Sequence, residues 1–153
     1  MGQIRILPTA DALADAAADQ FATLAASAVA ERGRFTVALS GGSTPEPVYR
    51  RLSREPWAKS IDWAHVDIFW GDERCVPPDH RDSNYGMVRE ALLDPAEVPA
   101  SSIHRIHGER PPSDAARAYE EEVGRILGRQ GRFDLILLGL GSDGHTASLF
   151  PGT

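Results

Sequence analysis

Apolar positions along this chain fall into two alternating textures. Short runs rich in β-branched and aromatic residues lie near 4–7, 35–39, 65–70, 103–106 and 133–138. Between them run stretches with helical spacing near 12–31, 45–54, 84–93 and 113–130. The pattern predicts strand then helix five times over, with the helix after the fifth strand lacking. The run "FDLILLGL" at 133–140 is nearly all apolar rather than alternating, and "FTVALS" at 35–40 is similar. Strands covered on both faces read this way. The expected architecture is therefore α/β with three layers: a mostly parallel, Rossmann-like sheet with helices on both faces. The Ala-rich stretch at 12–30 is helix composition rather than linker, and no repeat or low-complexity tract interrupts the pattern.

Length and charge narrow the picture. The 153 residues suit a single domain spanning 1–153, which buries roughly two-thirds of its unfolded surface. Sixteen Lys and Arg against twenty-two Asp and Glu give a net charge of -6. That field repels nucleic acid phosphates and acidic membrane surfaces, so neither is an expected partner, and any phosphate bound must be small and locally held. The one cysteine, Cys75, permits no internal disulfide and reads as a buried bystander. With no charged-then-apolar leader and no long apolar run, the simplest expectation is a cytoplasmic protein.

In a parallel α/β sheet, ligands sit outside the carboxyl ends of the strands where the strand order reverses. The loops to read are those after Leu39, Trp70 and Leu138. In "SGGSTPEP", Gly41 and Gly42 follow a strand and precede a helix, so the backbone can turn tightly and aim N–H groups at an anion. Thr44 is the expected N-cap, with Pro45 at N1 and Pro47 at N3, where the missing N–H groups cost no intrahelical bond. An anion here relies on the N–H groups of Gly41, Gly42, Ser43 and Thr44 and on two hydroxyls, with the helix dipole adding about 0.3–1 kcal/mol. No Walker lysine follows and no G-x-G-x-x-G is present, so nucleotide binding is not supported.

In "GDERCVPPDHRDSNY", Arg74 is the natural bidentate partner for a phosphate or carboxylate, while Asp72 or Glu73 can hold it in place or accept sugar hydroxyls. A solvated charged turn would explain the charges alone, but a loop of this length in a compact domain is more often functional than idle. Asp82, Ser83 and Asn84 read as the capped start of the next helix. In "GSDGHTASLF", Gly141 and Gly144 flank Ser142 and Asp143, and His145 follows at once. A histidine at the end of a parallel strand can accept a proton near neutral pH, and adjacent amides can receive developing negative charge. His104 and His107 are three apart on a predicted strand and face opposite sides, which is poor for a shared metal; His65 and His80 look incidental. No cysteine cluster, H-E-x-x-H or EF-hand loop occurs, so no metal is implied, and no G-x-S-x-G elbow points to a serine hydrolase.

Taken together, "ALSGGSTPEPVYRRL" at 38–52, "FWGDERCVP" at 69–77 with "DSNYGMVREALL" at 82–93, and "DLILLGLGSDGHTASLFPGT" at 134–153 resemble the 6-phosphogluconolactonase family, in order and over nearly the whole chain. The resemblance implies hydrolysis of 6-phospho-glucono-1,5-lactone to 6-phosphogluconate, the second step of the oxidative pentose phosphate pathway, without metal or nucleotide cofactor. It implies His145 as general base on the attacking water. It also implies that Gly41, Gly42, Ser43, Thr44 and Arg74 contact substrate and phosphate, with Asp72, Gly141 and Gly144 also lining the substrate site. Asp143 has three open readings: it orients His145, binds sugar hydroxyls, or caps its turn.

The related glucosamine-6-phosphate deaminase/isomerase family shares a strand-S-G-G-T loop and a D-G-H motif. There, the D-G-H leads into a stretch reading roughly I-A-F-N-E-P, whereas Thr146, Ala147, Ser148, Leu149, Phe150 and Pro151 follow here; its D-E-Y is "DER" at 72–74. Both departures favour the lactonase. Members of the lactonase family usually continue well beyond this last motif and carry a distal basic residue facing the phosphate. The expectation is therefore that these residues resemble the N-terminal portion of such an enzyme, expose the sheet edge and faces that further elements would cover, leave Leu149 and Phe150 without partners, and have low activity and solubility alone. Two readings from other classes are a sugar-phosphate-binding regulatory module, which would not need His145, and a scaffolding α/β domain, which would bind no phosphosugar.

Overall fold

The computed structural model describes residues 2–128 and 131–153. Arg129 and Gln130, at the end of the helix expected over 113–130, lie outside the described residues.

The first helix, α1 (Ala10–Arg32), starts where the Thr9 hydroxyl accepts from the Ala12 N–H at 3.0 Å, and stops at Gly33, whose φ of 75° turns the chain out of the helix. Ala14, Ala18, Phe21, Ala25 and Ala28 recur every three or four residues and are its buried stripe. Four of these five are alanines, so the helix lies close against the sheet, and Phe21 fills the remaining gap edge-on to Phe35 with ring centroids 5.3 Å apart. After α1 come β1 (Phe35–Leu39), α2 (Glu46–Leu52), the short α3 (Trp57–Ser60) and β2 (Val66–Trp70). Then follow α4 (Asn84–Val88), which runs on through a π-type turn at Arg89–Leu93, α5 (Pro112–Leu127) and β3 (Leu135–Ile136).

The sheet has the order β2-β1-β3, and both pairings are parallel. Phe35, Val37 and Leu39 join α1, α2 and α4 in the main core, while Phe69 on the other face stacks on His104 and meets Tyr119 of α5. This is the expected three-layer arrangement, with β1 buried along its whole length. His104 belongs to that second layer: its ring is held between Asp67 Oδ1 at 3.0 Å and Glu122 Oε1 at 2.9 Å.

Three expected strands are shorter than the pattern suggested. Residues 4–7 join no ladder among the described residues, and Ile4 and Ile6 stand exposed. At 103–106 a single bridge joins Ile103 to Ile68, after which the chain turns so that Gly108 passes against Arg74 O, where a Cβ would sit 2.2 Å away. The run at 133–138 is pinned to β1 by Asp134, whose carboxylate accepts from the Thr36 N–H and hydroxyl at 2.8 and 2.9 Å and from Arg32 at 2.6 Å. Its Leu135 and Leu137 pack on the core, but Ile136, Leu138 and Leu140 are exposed. Among the described residues no further strand or helix lies over the outer face of this run, so the double covering read from its apolar pattern is absent, while the open sheet edge expected of an N-terminal portion is present. Among the described residues no helix is long and apolar enough to cross a membrane.

The packing makes a contrast measurable by chemical denaturation. Phe21→Ala, which opens a cavity between α1, Phe35 and Trp63, should lower the unfolding free energy by about 3–5 kcal/mol. Ile6→Ala, at an exposed position, should change it by no more than about 0.5 kcal/mol.

Candidate active site

The carboxyl ends of β1, β2 and β3 converge on a cavity of about 320 Å³. Gly41, Gly42, Ser43, Thr44, Asp72, Arg74, Gly141 and His145 all line it, so the three loops singled out in the sequence do meet. Asp143 and Gly144 do not line it; they stand behind His145 in the same turn. Asn84 and Ala147 line it without having been marked as site residues.

The wall supplied by residues 41–44 is an array of backbone donors. Gly42 has a φ of 102°, in the left-handed region. The N–H groups of Gly41, Gly42, Ser43 and Thr44 donate to no acceptor among the described residues. Thr44 is not the N-cap of α2: Pro45 takes that position, with no side-chain cap, and its carbonyl accepts from Val48 N–H at 2.9 Å. Proline at the cap fixes φ near its helical value and starts the helix one residue later, which leaves the Thr44 hydroxyl with its loop.

Beneath this loop lies Asn84. Its Nδ2 donates to Asp72 O at 3.0 Å and to Asp72 Oδ1 at 3.4 Å, and its Oδ1 lies against Gly41, where an added Cβ would come within 1.8 Å. One buried amide thus sets the spacing between two walls. As expected, Ser83 is the N-cap of α4, its hydroxyl accepting from Gly86 N–H at 3.0 Å. Glu73 turns away from the cavity to the same helix end and accepts from Asn84 N–H at 2.7 Å, Tyr85 N–H at 2.8 Å and the Ser83 hydroxyl at 3.1 Å. Of the two acids expected to hold Arg74 or accept hydroxyls, only Asp72 faces the cavity. Neither pairs with the Arg74 guanidinium, which among the described residues has no carboxylate partner. Cys75 is exposed rather than buried, because the loop carries it outside the packed elements.

The third wall is the turn at 141–145. His145 Nδ1–H donates to Asp143 Oδ1 at 2.5 Å; since an ionised carboxylate only accepts, the lone pair of the neutral imidazole resides on Nε2. That hydrogen bond holds the Asp143 carboxyl below the usual carboxylate range. Of the three readings of Asp143, its contacts fit two: it orients the histidine through Nδ1 and caps the turn by accepting from the His145 N–H. The Phe150 ring stacks on the imidazole with centroids 4.8 Å apart. Gly141 is required by close approach, because a Cβ there would lie 2.2 Å from the His145 ring. Three of the amides expected to receive negative charge are already engaged: Gly141 N–H donates to His145 O at 2.8 Å, Gly144 N–H to Gly141 O at 3.0 Å, and His145 N–H to Asp143 Oδ1 at 3.2 Å. Ser148 closes the ring of contacts by donating to Asp72 Oδ2 at 2.5 Å.

Residues 8–153 match the family described as glucosamine-6-phosphate isomerases/6-phosphogluconolactonase. A 6-phosphogluconolactonase of Nostoc sp. is 41% identical over 98% of this chain and 63% of its own length. Another, of Haemophilus influenzae, is 47% identical over 75% of this chain and 49% of its own length. Among solved structures, 6-phosphogluconolactonase from Trypanosoma cruzi superposes with a TM-score of 0.88 at 32% identity, covering 100% of this chain and 64% of that one. The chain spans about half to two-thirds of the length of these relatives.

Glu73 and Ser148 should separate in a urea titration. Glu73→Ala leaves several donors of the α4 start unmet and should cost about 1–3 kcal/mol, whereas Ser148→Ala, which removes one exposed contact, should cost less than about 1 kcal/mol. Equal losses would mean that the Glu73 contacts do not hold the loop.

Proposed function

The chain belongs to the glucosamine-6-phosphate isomerase/6-phosphogluconolactonase family, and from that premise we propose that it works as the lactonase, opening 6-phospho-glucono-1,5-lactone to 6-phosphogluconate. The observation that carries this reading is the pairing, in one cavity, of four unengaged backbone N–H groups beside Arg74 with an imidazole whose Nδ1 is committed to Asp143. The first half suits a phosphate dianion and the second a proton acceptor.

In the proposed reaction the phosphate is held by Gly41–Thr44 and Arg74, which brings C1 of the lactone next to His145. A water attacks C1 while giving its proton to Nε2. The new C–O bond produces a tetrahedral oxyanion; the bond from C1 to the ring oxygen then breaks and the ring oxygen takes the proton back from Nε2. Asp143 keeps the imidazole in the required tautomer and offsets the positive charge it gains. Because the lactone carbonyl is already electrophilic, water and a placed base suffice and no covalent nucleophile enters. Asp72, held by Asn84 and Ser148, would repel a phosphate beside it and so belongs at the hydroxyl end of the sugar. The residues after His145 and the named relatives support the lactonase over the deaminase. The reaction belongs to the oxidative pentose phosphate pathway and to the cytoplasm.

The test is a paired assay on the protein, following acid release from fresh lactone and ammonia release from glucosamine 6-phosphate above background. Acid without ammonia is expected, and the reverse result would move the protein to the deaminase side of its family. His145→Ala should lower kcat by about 10²–10⁴-fold with little change in KM. Full kcat in that variant would remove His145 from the mechanism. Arg74→Ala should instead raise KM, by about 10-fold or more for a lost charge-assisted contact.

A further inference from the structure

Two tyrosines outside the cavity make the same contact at the two strand ends that lead into it. On α2, Tyr49 Oη–H donates to Ser40 O at 2.7 Å while its oxygen accepts from Ser40 N–H at 3.1 Å. On α5, Tyr119 Oη–H donates to Trp70 O at 2.8 Å while its oxygen accepts from Trp70 N–H at 2.9 Å. Ser40 immediately precedes Gly41, and Trp70 immediately precedes Gly71 and Asp72.

A strand residue directs its N–H and C=O to the same side, where a neighbouring strand normally meets both. On β1 the side facing β3 is occupied at Ala38, whose carbonyl accepts from Leu137 N–H at 2.9 Å. Two residues further, the next donor in register would come from Gly139, but Ser40 meets the Tyr49 hydroxyl instead. The β1–β3 ladder stops there, and Gly139, Leu140 and Gly141 diverge to become a wall of the cavity. On β2, the outer edge is met by Ile103 at Ile68 and, two residues later, by the Tyr119 hydroxyl at Trp70.

We propose that Tyr49 and Tyr119 are positioning residues that end the ladders at Ser40 and Trp70 and so fix where the 41–44 and 72–74 loops leave the sheet. The proposal rests on the reading of the cavity as a phosphosugar site. A hydroxyl is the one neutral group that supplies a donor and an acceptor from a single atom, so it terminates a ladder without extending it. Both phenols keep the proton that each latch needs at neutral pH, and burial pushes them further above their ordinary range.

Tyr49→Phe and Tyr119→Phe, made in the full chain, keep the buried rings and remove only the hydroxyls. Calorimetric titration with 6-phosphogluconate and steady-state lactone kinetics read the result beside the melting temperature. For Tyr49→Phe, Kd and KM should rise by about 10–100-fold while kcat stays within about 3-fold, the cost expected of a displaced binding loop. Tyr119→Phe should weaken the same binding through Asp72 and Arg74. Lowered melting temperatures with unchanged Kd and KM in both variants would make the tyrosines merely structural and overturn the proposal. If the unmodified protein binds 6-phosphogluconate without opening the lactone, the lactonase reading falls while the Kd comparison still decides on the latches. If it does not bind at all, both fall.

Discussion

Every wall of the cavity depends on β1, a strand five residues long and buried throughout. Its two neighbours run parallel to it, so all three strands deliver their carboxyl ends, and the loops that follow, to one edge of the sheet. Its register with β2 continues to Leu39 and Trp70, and Gly71 N–H still donates to Leu39 O at 2.9 Å. The register with β3 gives out sooner. The crevice is the space left by that difference, and Asp134, by tying Thr36 to the start of β3, keeps the third strand where the difference matters.

On the proposed reading, an acidic chain with a net charge of -6 has to bind an anion without a strongly positive surface. The contacts around the cavity do this with dipoles. N–H groups at 41–44 that meet no acceptor among the described residues supply partial positive charge at close range, and Arg74 is the one Lys or Arg among the described lining residues. Prolines at 45 and 47 take donors away from the start of α2, so the N–H groups available to an anion are those of the loop rather than those of the helix. The overall field discourages polyanions, while the local array still favours one small phosphate.

Much of this was legible in the sequence because periodicity reports burial. The stripe of α1, the unbroken apolar run of β1 and the three polar loops at strand ends all follow from spacing. What spacing lacks is knowledge of the neighbour. "FDLILLGL" reads the same whether or not anything lies over Ile136 and Leu138, so its pattern alone suggested covering on both faces, and only the resemblance to a longer enzyme pointed to the open edge that is found. Side-chain direction was lost for a similar reason. Glu73 beside Arg74 suggests an ion pair, yet the α4 start, about ten residues on, offers it N–H donors and draws it away. Asn84 read as a helix start and nothing more, because its contact with Gly41 spans forty-three positions and no local motif carries it. Tyr49 and Tyr119 drew no reading from the sequence, since a hydroxyl bound to a strand end leaves no trace in a hydrophobic pattern.

The turn at 141–145 shows how the chemistry is divided. A glycine-flanked histidine suggests that one turn supplies both the base and the amides that receive the oxyanion. The hydrogen bonds rule out that economy for three of its amides: Gly141, Gly144 and His145 spend their N–H groups inside the turn. Those bonds, the Asp143 contact and the stacked Phe150 give the imidazole one orientation before substrate arrives. If His145 is the base, as proposed, an imidazole held this way needs no reorganisation in the transition state, which is where preorganised groups gain their advantage over solvent. On the proposed reading, the arrangement separates the imidazole that moves the proton from the N–H groups and Arg74 that hold the phosphate, at different strand ends of one sheet edge.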